Sequence, residues 1–342
     1  MPLTPLLSVF IPAYNAADSV REAVESALDN GFGDLEVVVV DDGSSDDTAQ
    51  IAAAIRHPAL RLIRQPVNLG VGATRRNGVA ALRGRYVALL DADDIAVPGR
   101  FERQVARLEA PGGPDILGGA IENFGDAAGE LHFPLRDAEI RAGLLFHDLP
   151  LANPAVCMRL APLRDGTIGY RENAGAEDYA LWADALIAGL KFENLPNVVT
   201  RMRRHASSLT RRAGAEISAQ ARAVRLRIAE YFFPAMDDAA RGALVAALSV
   251  NVGGGQRWID GACALAHAAE LADGAAGADA AALRRLLAQN LLRMLKHAFA
   301  HGLIDNETLE MMTETNAHFE RWRMADGGAL DREIVALVTP GA

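Results

Sequence analysis

Tyr86-Val87-Ala88-Leu89-Leu90-Asp91-Ala92-Asp93-Asp94 joins an apolar run to three carboxylates within four residues. The run follows Gly84 and stops at a polar break, which is the pattern of a short buried strand. In open α/β sheets, ligands bind outside the carboxyl ends of the strands. Two acids at i and i+2 on such an end can share a hard divalent cation with a phosphorylated ligand, which relieves their mutual repulsion. A plain surface turn would carry the same letters, because Asp favours turns for local reasons. The residues upstream decide between the two.

Leu6 to Ile11 reads as a first strand, stopped by Pro12, and a helix is expected from about Ala17 to Asn30, closed by Gly31. Its apolar residues Val20, Ala23, Val24, Ala27 and Leu28 follow helical spacing. Leu35 to Val40 is a second strand, β-branched as strands buried on both faces are. It runs into Asp41-Asp42-Gly43-Ser44-Ser45, and a helix follows, opened by Asp46 and Asp47 and ending near Ile55. A third strand, Leu60 to Arg64, leads through Asn68-Leu69-Gly70-Val71-Gly72 to a helix bearing Arg75 and Arg76, and then to the run that begins at Tyr86. Alternation of this kind predicts an α/β fold: a Rossmann-like, mostly parallel central sheet with helices on both faces.

Beyond Asp94, Pro98 suits the first turn of a helix facing inward with Phe101, Val105 and Leu108, and Pro111-Gly112-Gly113-Pro114 breaks it. Strands are expected at Asp115 to Gly119, Pro154 to Arg159, Lys191 to Leu195 and Val198 to Arg203. Between the first two the chain reads as irregular, with a short helix from Asp137 to Phe146, and Glu177 to Ala188 forms a helix closed by Gly189. From about Ala215 the texture becomes Ala- and Leu-rich. Helices are expected near Ile217–Phe233, Asp238–Val250, Asp260–Ala272, Ala280–His301 and Asn306–Trp322, with no strands between them. The predicted organisation is thus a first domain over residues 1–212 and an all-α C-terminal domain over residues 213–342.

Composition narrows the class. The net charge of −10 argues against general nucleic-acid binding. No apolar run approaches the roughly 20 residues that span a bilayer, and the start lacks the basic region of a signal peptide. Cys157 and Cys263 are far apart and lack metal-ligand spacing, so they read as reduced structural thiols. A cytoplasmic location is expected, with the arginines near His205 suited to peripheral contact with an anionic membrane surface.

Tyr14-Asn15, Asp41-Asp42 and Asp91 to Asp94 all fall at ends of predicted parallel strands, on one edge of the sheet, where they should converge. With Val9-Phe10-Ile11-Pro12-Ala13-Tyr14-Asn15, Val40 to Thr48, Asn68-Leu69-Gly70 through Arg75, and Leu90 to Asp94 in order, the sequence resembles glycosyltransferase family 2. Gly169-Tyr170-Arg171, Glu177-Asp178 ahead of Leu181-Trp182, and Arg203-Arg204-His205-Ala206-Ser207-Ser208 extend the likeness over roughly the first 210 residues. No single motif is specific, but the ordered set is.

The resemblance implies a GT-A fold and an inverting, nucleotide-sugar-dependent transferase. It assigns nucleotide binding to Pro12, Tyr14, Asp42, Arg75 and Asp91, cation binding to Asp93 and His205, and the catalytic base to Asp178. Each role has a physical reason. An aromatic face stacks on a base, a carboxylate accepts from a base N–H, and a carboxylate near the anomeric carbon can take an acceptor proton. Mn²⁺ or Mg²⁺ would neutralise charge that grows on the departing diphosphate. Asp41 and Asp94 are expected to position turns, and Glu177 to orient an arginine. Asp184 stands where relatives often carry arginine, which leaves the charge around the base open. A UDP-sugar is the favoured donor and a saccharide or lipid-linked hydroxyl the acceptor, in surface polysaccharide assembly, with the C-terminal helices serving self-association or acceptor placement.

Other classes remain to be weighed. A haloacid-dehalogenase-type phosphatase also uses Asp-x-Asp after a strand, but early in its core. A dinucleotide dehydrogenase would carry Gly-x-Gly-x-x-Gly after the first strand, which is missing here. A receiver-type signalling module would be about a third of this length. A catalytically inactive family member that binds nucleotide or saccharide stays open.

Overall fold

The computed structural model describes residues 4–146, 150–171, 176–205, 214–248, 256–275 and 280–302. The chain divides into two compact units, one of Met1–Ile140 with Leu149–Ala221, the other of Arg141–Asp148 with Arg222–Ala342. The first carries every strand among the described residues.

In the first unit the order is β1 (Leu7–Ala13), α1 (Val20–Leu28), β2 (Leu35–Asp41), α2 (Thr48–Ala54), β3 (Leu60–Arg64), α3 (Val71–Val79) and β4 (Tyr86–Leu89). There follow β5 (Ile95–Ala96), α4 (Arg100–Glu109), β6 (Ile116–Gly125), β7 (Gly129–Leu131), α5 (Asp137–Gly143), β8 (Cys157–Arg159), α6 (Ala161–Arg164), α7 (Glu177–Ile187) and β9 (Phe192–Arg204). The sheet order is β3-β2-β1-β4-β8-β6-β9-β5, with β7 paired to β6. The expected parallel core is the β3-β2-β1-β4 half. Beyond it the pairing is mixed: β8 is antiparallel to both β4 and β6, while β6 and β9 are parallel. β1 and β2 are almost wholly buried, which is why β2 could be a run of valines without alternation.

Several boundaries differ from the sequence expectation, each for a local reason. β1 runs through Pro12 to Ala13, in register with Val40 and Asp41. The Phe10 carbonyl accepts from Leu90 N on the β4 side, so Pro12, two residues on, turns its missing donor toward β4 where that strand has ended. α4 starts at Arg100, after Gly99 takes a left-handed conformation with φ 70°, so Pro98 lies ahead of the helix. Residues 192–204 form one strand, not two, because Pro196-Asn197 bulge out between Leu195, paired with Gly119, and Val198, paired with Ala120. β6 reaches Gly125 and turns back into β7 in a stretch that reads as irregular, and Asn153–Ala155 is a 3-10 turn leading into β8.

The second unit contains α8 from residue 222 to its end (the helix spans Gly214–Phe232), then α9 (Asp238–Ala247), α10 (Gln256–Glu270) and α11 (Ala280–Ala300). Asp237 caps α9 by accepting from Ala240 N at 2.8 Å. Gly261 of α10 sits where a Cβ would lie 3.1 Å from the Ala247 Cβ, so the two helices approach closely. On α11, Leu283, Leu287, Leu291 and Leu295 line one stripe and are fully buried, so that face is core. The expected helix at Asn306–Trp322 lies outside the described residues. Among the described residues no helix is long and apolar enough to cross a membrane.

Candidate active site

Because β2, β1 and β4 are parallel neighbours, Asp41-Asp42, Tyr14-Asn15 and Asp91 to Asp94 leave the same edge of the sheet. The first two turns are stitched together. Asn15, the one non-glycine residue with positive φ (49°) among the described residues, accepts from Ser45 N at 2.9 Å and donates its own N–H to Ser44 Oγ at 2.9 Å. Ala16 N donates to Thr48 Oγ1 and Ala17 N to Asp46 Oδ2. This lattice leaves the Tyr14 side chain outside it, 49% exposed. Such a ring is free to stack on a planar ligand.

Asp42 has partners within the chain that the sequence expectation did not include. Its carboxylate is buried and accepts from Gln65 Nε2 at 3.0 Å, Leu69 N at 2.8 Å and Gly70 N at 3.0 Å. It therefore fastens the Asn68-Leu69-Gly70 loop. Asp41 holds its turn as expected, accepting from Ser44 N at 3.3 Å and pairing with Arg64.

Arg75 is the hub of the site. It is buried on α3 and donates to Glu177 Oε1 at 2.6 Å and to Asp91 Oδ1 at 3.0 Å, with its guanidinium 5.9 Å from the Tyr170 ring centre. Burial works against its charge, but Asp91 and Glu177 outweigh it and hold the guanidinium firmly protonated. The same burial raises both carboxyl groups above their ordinary range, with Arg75 opposing. Glu177 thus orients an arginine, as its sequence position implied, and places Asp178 beside the cluster in the first turn of α7. Arg76 lies on the exposed face of α3. Arg171 answers the question raised by Asp184: its Nη2 bonds both Asp184 oxygens, at 2.8 and 3.0 Å.

The third cluster meets the end of β9. Asp93 Oδ2 lies 2.8 Å from His205 Nε2, so the two residues assigned to a cation are neighbours although 112 positions apart. Asp94 is turned inward, 2% exposed, and accepts from Arg203 N at 2.8 Å. Burial, with Asp91 and Asp93 nearby, pushes its pKa up to about 9. Asp93 and His205 offer one hard oxygen and one imidazole nitrogen side by side, which fits a divalent cation. Among the described residues no group of three or more His, Cys, Asp or Glu forms a cation site. The remaining positions would thus fall to phosphate oxygens and water, the usual arrangement for Mg²⁺-type ions. Arg201, Arg203 and Arg204 are engaged within the unit, by Glu122, Glu22 and Asn123, and Phe124 lies between the first two.

One buried polar pair escaped the sequence reading. Arg100 is fully buried under the acidic loop and donates to the carbonyls of Leu89, Pro154 and Val156, to Thr200 Oγ1 and to Gln104 Oε1. Burial pushes its pKa down to about 10. Gln104 in turn donates to the carbonyls of Leu117 and Ala155. The signal was present: Gln104 falls on the same helical stripe as Phe101, Val105 and Leu108.

Residues 8–159, from β1 to the end of β8, match the family described as Glycosyl transferase family 2. This stretch is a family 2 glycosyl transferase domain. The succinoglycan biosynthesis protein ExoO of Rhizobium meliloti (strain 1021) is 44% identical over 108 residues, 32% of this chain and 31% of that protein. The UDP-Glc:alpha-D-GlcNAc-diphosphoundecaprenol beta-1,3-glucosyltransferase WfaP of Escherichia coli is 28% identical over 210 residues, 60% of this chain and 80% of its own. The match to ExoO therefore spans about a third of that relative's length. Among solved structures, S. aureus TarS residues 1–349, in complex with UDP-GlcNAc, superposes with a TM-score of 0.57 at 18% identity, covering 93% of this chain and 92% of that one. The fold of the glycosyl transferase domain is accordingly GT-A.

Proposed function

We propose that the protein is an inverting glycosyltransferase that moves a sugar from a nucleoside-diphosphate donor, UDP-linked by preference, to an acceptor hydroxyl. The observation that carries this reading is the continuous chain of contacts along one sheet edge. Arg75 joins Asp91 to Glu177 beside Asp178, and Asp93 of the same acidic loop pairs with His205. A saccharide or lipid-linked acceptor in surface polysaccharide assembly fits the relatives, one concerned with succinoglycan and one acting on a diphosphoundecaprenol-linked sugar. Acceptor choice is assigned to the stretch from Gly119 to Asn173, because loops on a rigid scaffold carry such variation.

In this reading Tyr14 stacks on the base and Asp42 holds the wall of its pocket. Asp93 and His205 would hold Mn²⁺ or Mg²⁺, which supplies positive charge to the leaving diphosphate. Arg75 is neutralised by two carboxylates, so its part is to fix Asp91 toward the ribose and Glu177 at the head of α7. Asp178 accepts the acceptor proton as the acceptor oxygen bonds to the anomeric carbon and the carbon–oxygen bond to the diphosphate breaks. One carboxylate opposite the leaving group gives direct displacement and an inverted anomer. Self-association through the helical unit is compatible with this scheme.

A melting panel of UDP, GDP, dTDP and CMP with and without Mn²⁺ tests donor choice, since a ligand at 100 times its Kd adds about 2.7 kcal/mol of apparent stability. Asp178→Asn tests the chemistry. A positioned base contributes about 10²–10⁴-fold, so single-turnover rates should fall by that factor while UDP affinity holds. A retained anomer by NMR, or undiminished turnover in the variant, would overturn the mechanism.

A further inference from the structure

Asp91, Asp93 and Asp94 are chemically alike, yet they end in different places. Asp93 is 37% exposed and faces His205, whereas Asp94 points into the protein. Arg75 holds Asp91, whereas Asp93 and Asp94 both meet one residue at the end of β9. The Arg203 backbone N–H donates to Asp94 Oδ1 at 2.8 Å, and its guanidinium Nε donates to the Asp93 carbonyl at 3.0 Å. The same guanidinium reaches Glu22 of α1 at 2.5 Å and lies 4.5 Å from the centre of the Phe124 ring. It thus holds Asp93 by the main chain and leaves that carboxylate out of the bond. Pairing of β5 with β9, Ile95 to Arg201 and Ala96 to Thr200, fixes the register in which this occurs.

We propose that Arg203 is a positioning residue for the transfer reaction. By gripping Asp93 through its carbonyl and Asp94 through its carboxylate, it turns one acid out and the other in, and so selects the carboxylate that meets the cation and diphosphate. The proposal rests on the transferase reading above. A hydrogen bond from a charged donor to a main-chain carbonyl is directional and stronger than a neutral one, so it can set the loop without competing for the ligand. Supporting contacts of this kind typically change cation affinity by about 10–100-fold when removed.

The test uses the full chain and two readouts. In Arg203→Met, calorimetry with UDP in EDTA should give wild-type affinity, while the gain on adding Mn²⁺ should fall about 10-fold. Arg203→Lys, which keeps the charge and one donor, should recover part of it. Hydrogen–deuterium exchange across residues 91–96 should accelerate in Arg203→Met. Arg201→Met, whose partner is Glu122, is the control and should leave that segment unchanged. A full Mn²⁺ gain in Arg203→Met overturns the inference, and so does an equal loss of UDP affinity with and without Mn²⁺ alongside a lower melting temperature. Wild-type protein that gains nothing from Mn²⁺ would instead sink the cation reading beneath it. Should Arg203→Met fail to fold, Glu22→Gln releases one anchor of the same guanidinium; a smaller loss in the same sense is expected, and none at all overturns the inference.

Discussion

Replacing Arg75 by Met would strand two carboxylates that now share one cation. The side chains of Arg75 and Glu177 are 7% and 11% exposed, so this is a buried ion pair, and breaking one from a single side costs about 3–5 kcal/mol. Asp91, at 36% exposure, keeps access to water and adds little. For a unit of this size each kcal/mol moves Tm by about 2–4 °C, so the variant should melt about 6–20 °C lower at pH 7. The deficit should also depend on pH, with a definite sign. Burial already raises the Glu177 and Asp91 pKa values in the folded protein, and Arg75 is the group that opposes the rise. Without it both go higher. A carboxyl whose folded pKa exceeds its unfolded value favours the folded state below the unfolded pKa, and that contribution is lost as pH rises through the folded pKa. The Tm gap between wild type and variant should therefore widen toward pH 8 and narrow toward pH 5. Adding Glu177→Gln should restore part of the loss at pH 7, because it removes the stranded charge. Scanning calorimetry from pH 5 to 8 measures all three. A gap that stays constant with pH, or one under about 2 °C, would refute the assignment of Arg75 as the countercharge of this site.

Asp42→Ala removes the acceptor for Gln65 and for the Leu69 and Gly70 amides, and bonds to a charged acceptor are worth about 1.5–3 kcal/mol. Exchange at those two amides should speed up at least about 10-fold by NMR, with weaker UDP binding; unchanged protection would show that the loop is held elsewhere. Gly78→Ala places a Cβ 2.4 Å from Phe10 Cζ, between α3 and β1. Overpacking of that kind costs about 1–3 kcal/mol, so Tm should drop while UDP affinity at 10 °C survives. A variant as stable as wild type would show that the Phe10 ring yields without strain.

The alternation of elements from β1 to β4 was legible because each strand is a short, mostly apolar stretch and polar turns separate it from the helices. The converging edge followed from parallel order alone. Pairing beyond β4 was not legible: Cys157-Met158-Arg159 carries no mark that it would run antiparallel between β4 and β6. The same limit applied to the acids. The resemblance gave Asp91, Asp93 and Asp94 separate roles, but the contacts that separate them are tertiary: Arg75 holds Asp91, and residues more than a hundred positions later hold Asp93 and Asp94. The resemblance assigned Asp42 to the base; its bonds to the amides of Leu69 and Gly70, 27 and 28 residues downstream, are beyond any local pattern. Glu177 was anticipated as an arginine partner, but which arginine, 102 residues away, is a tertiary fact.

The late position of β9 has a consequence for how the fold comes into being. The chain is made from its N-terminus, and the acidic loop leaves the ribosome 109 to 112 residues ahead of Arg203 and His205. At about 5–20 residues per second that is an interval of roughly 5–20 s, long compared with the collapse of a hundred-residue chain. β1 to β4 can pair in that time, but the strand that sorts the acids is still unmade. A nascent chain halted before β9 would own every carboxylate of the site but lack the partners of Asp93 and Asp94, with the edges of β5 and β6 bare to other chains. The last contacts of the acidic loop thus arrive in one late step, which docks a single strand and at the same time covers the edges of β5 and β6.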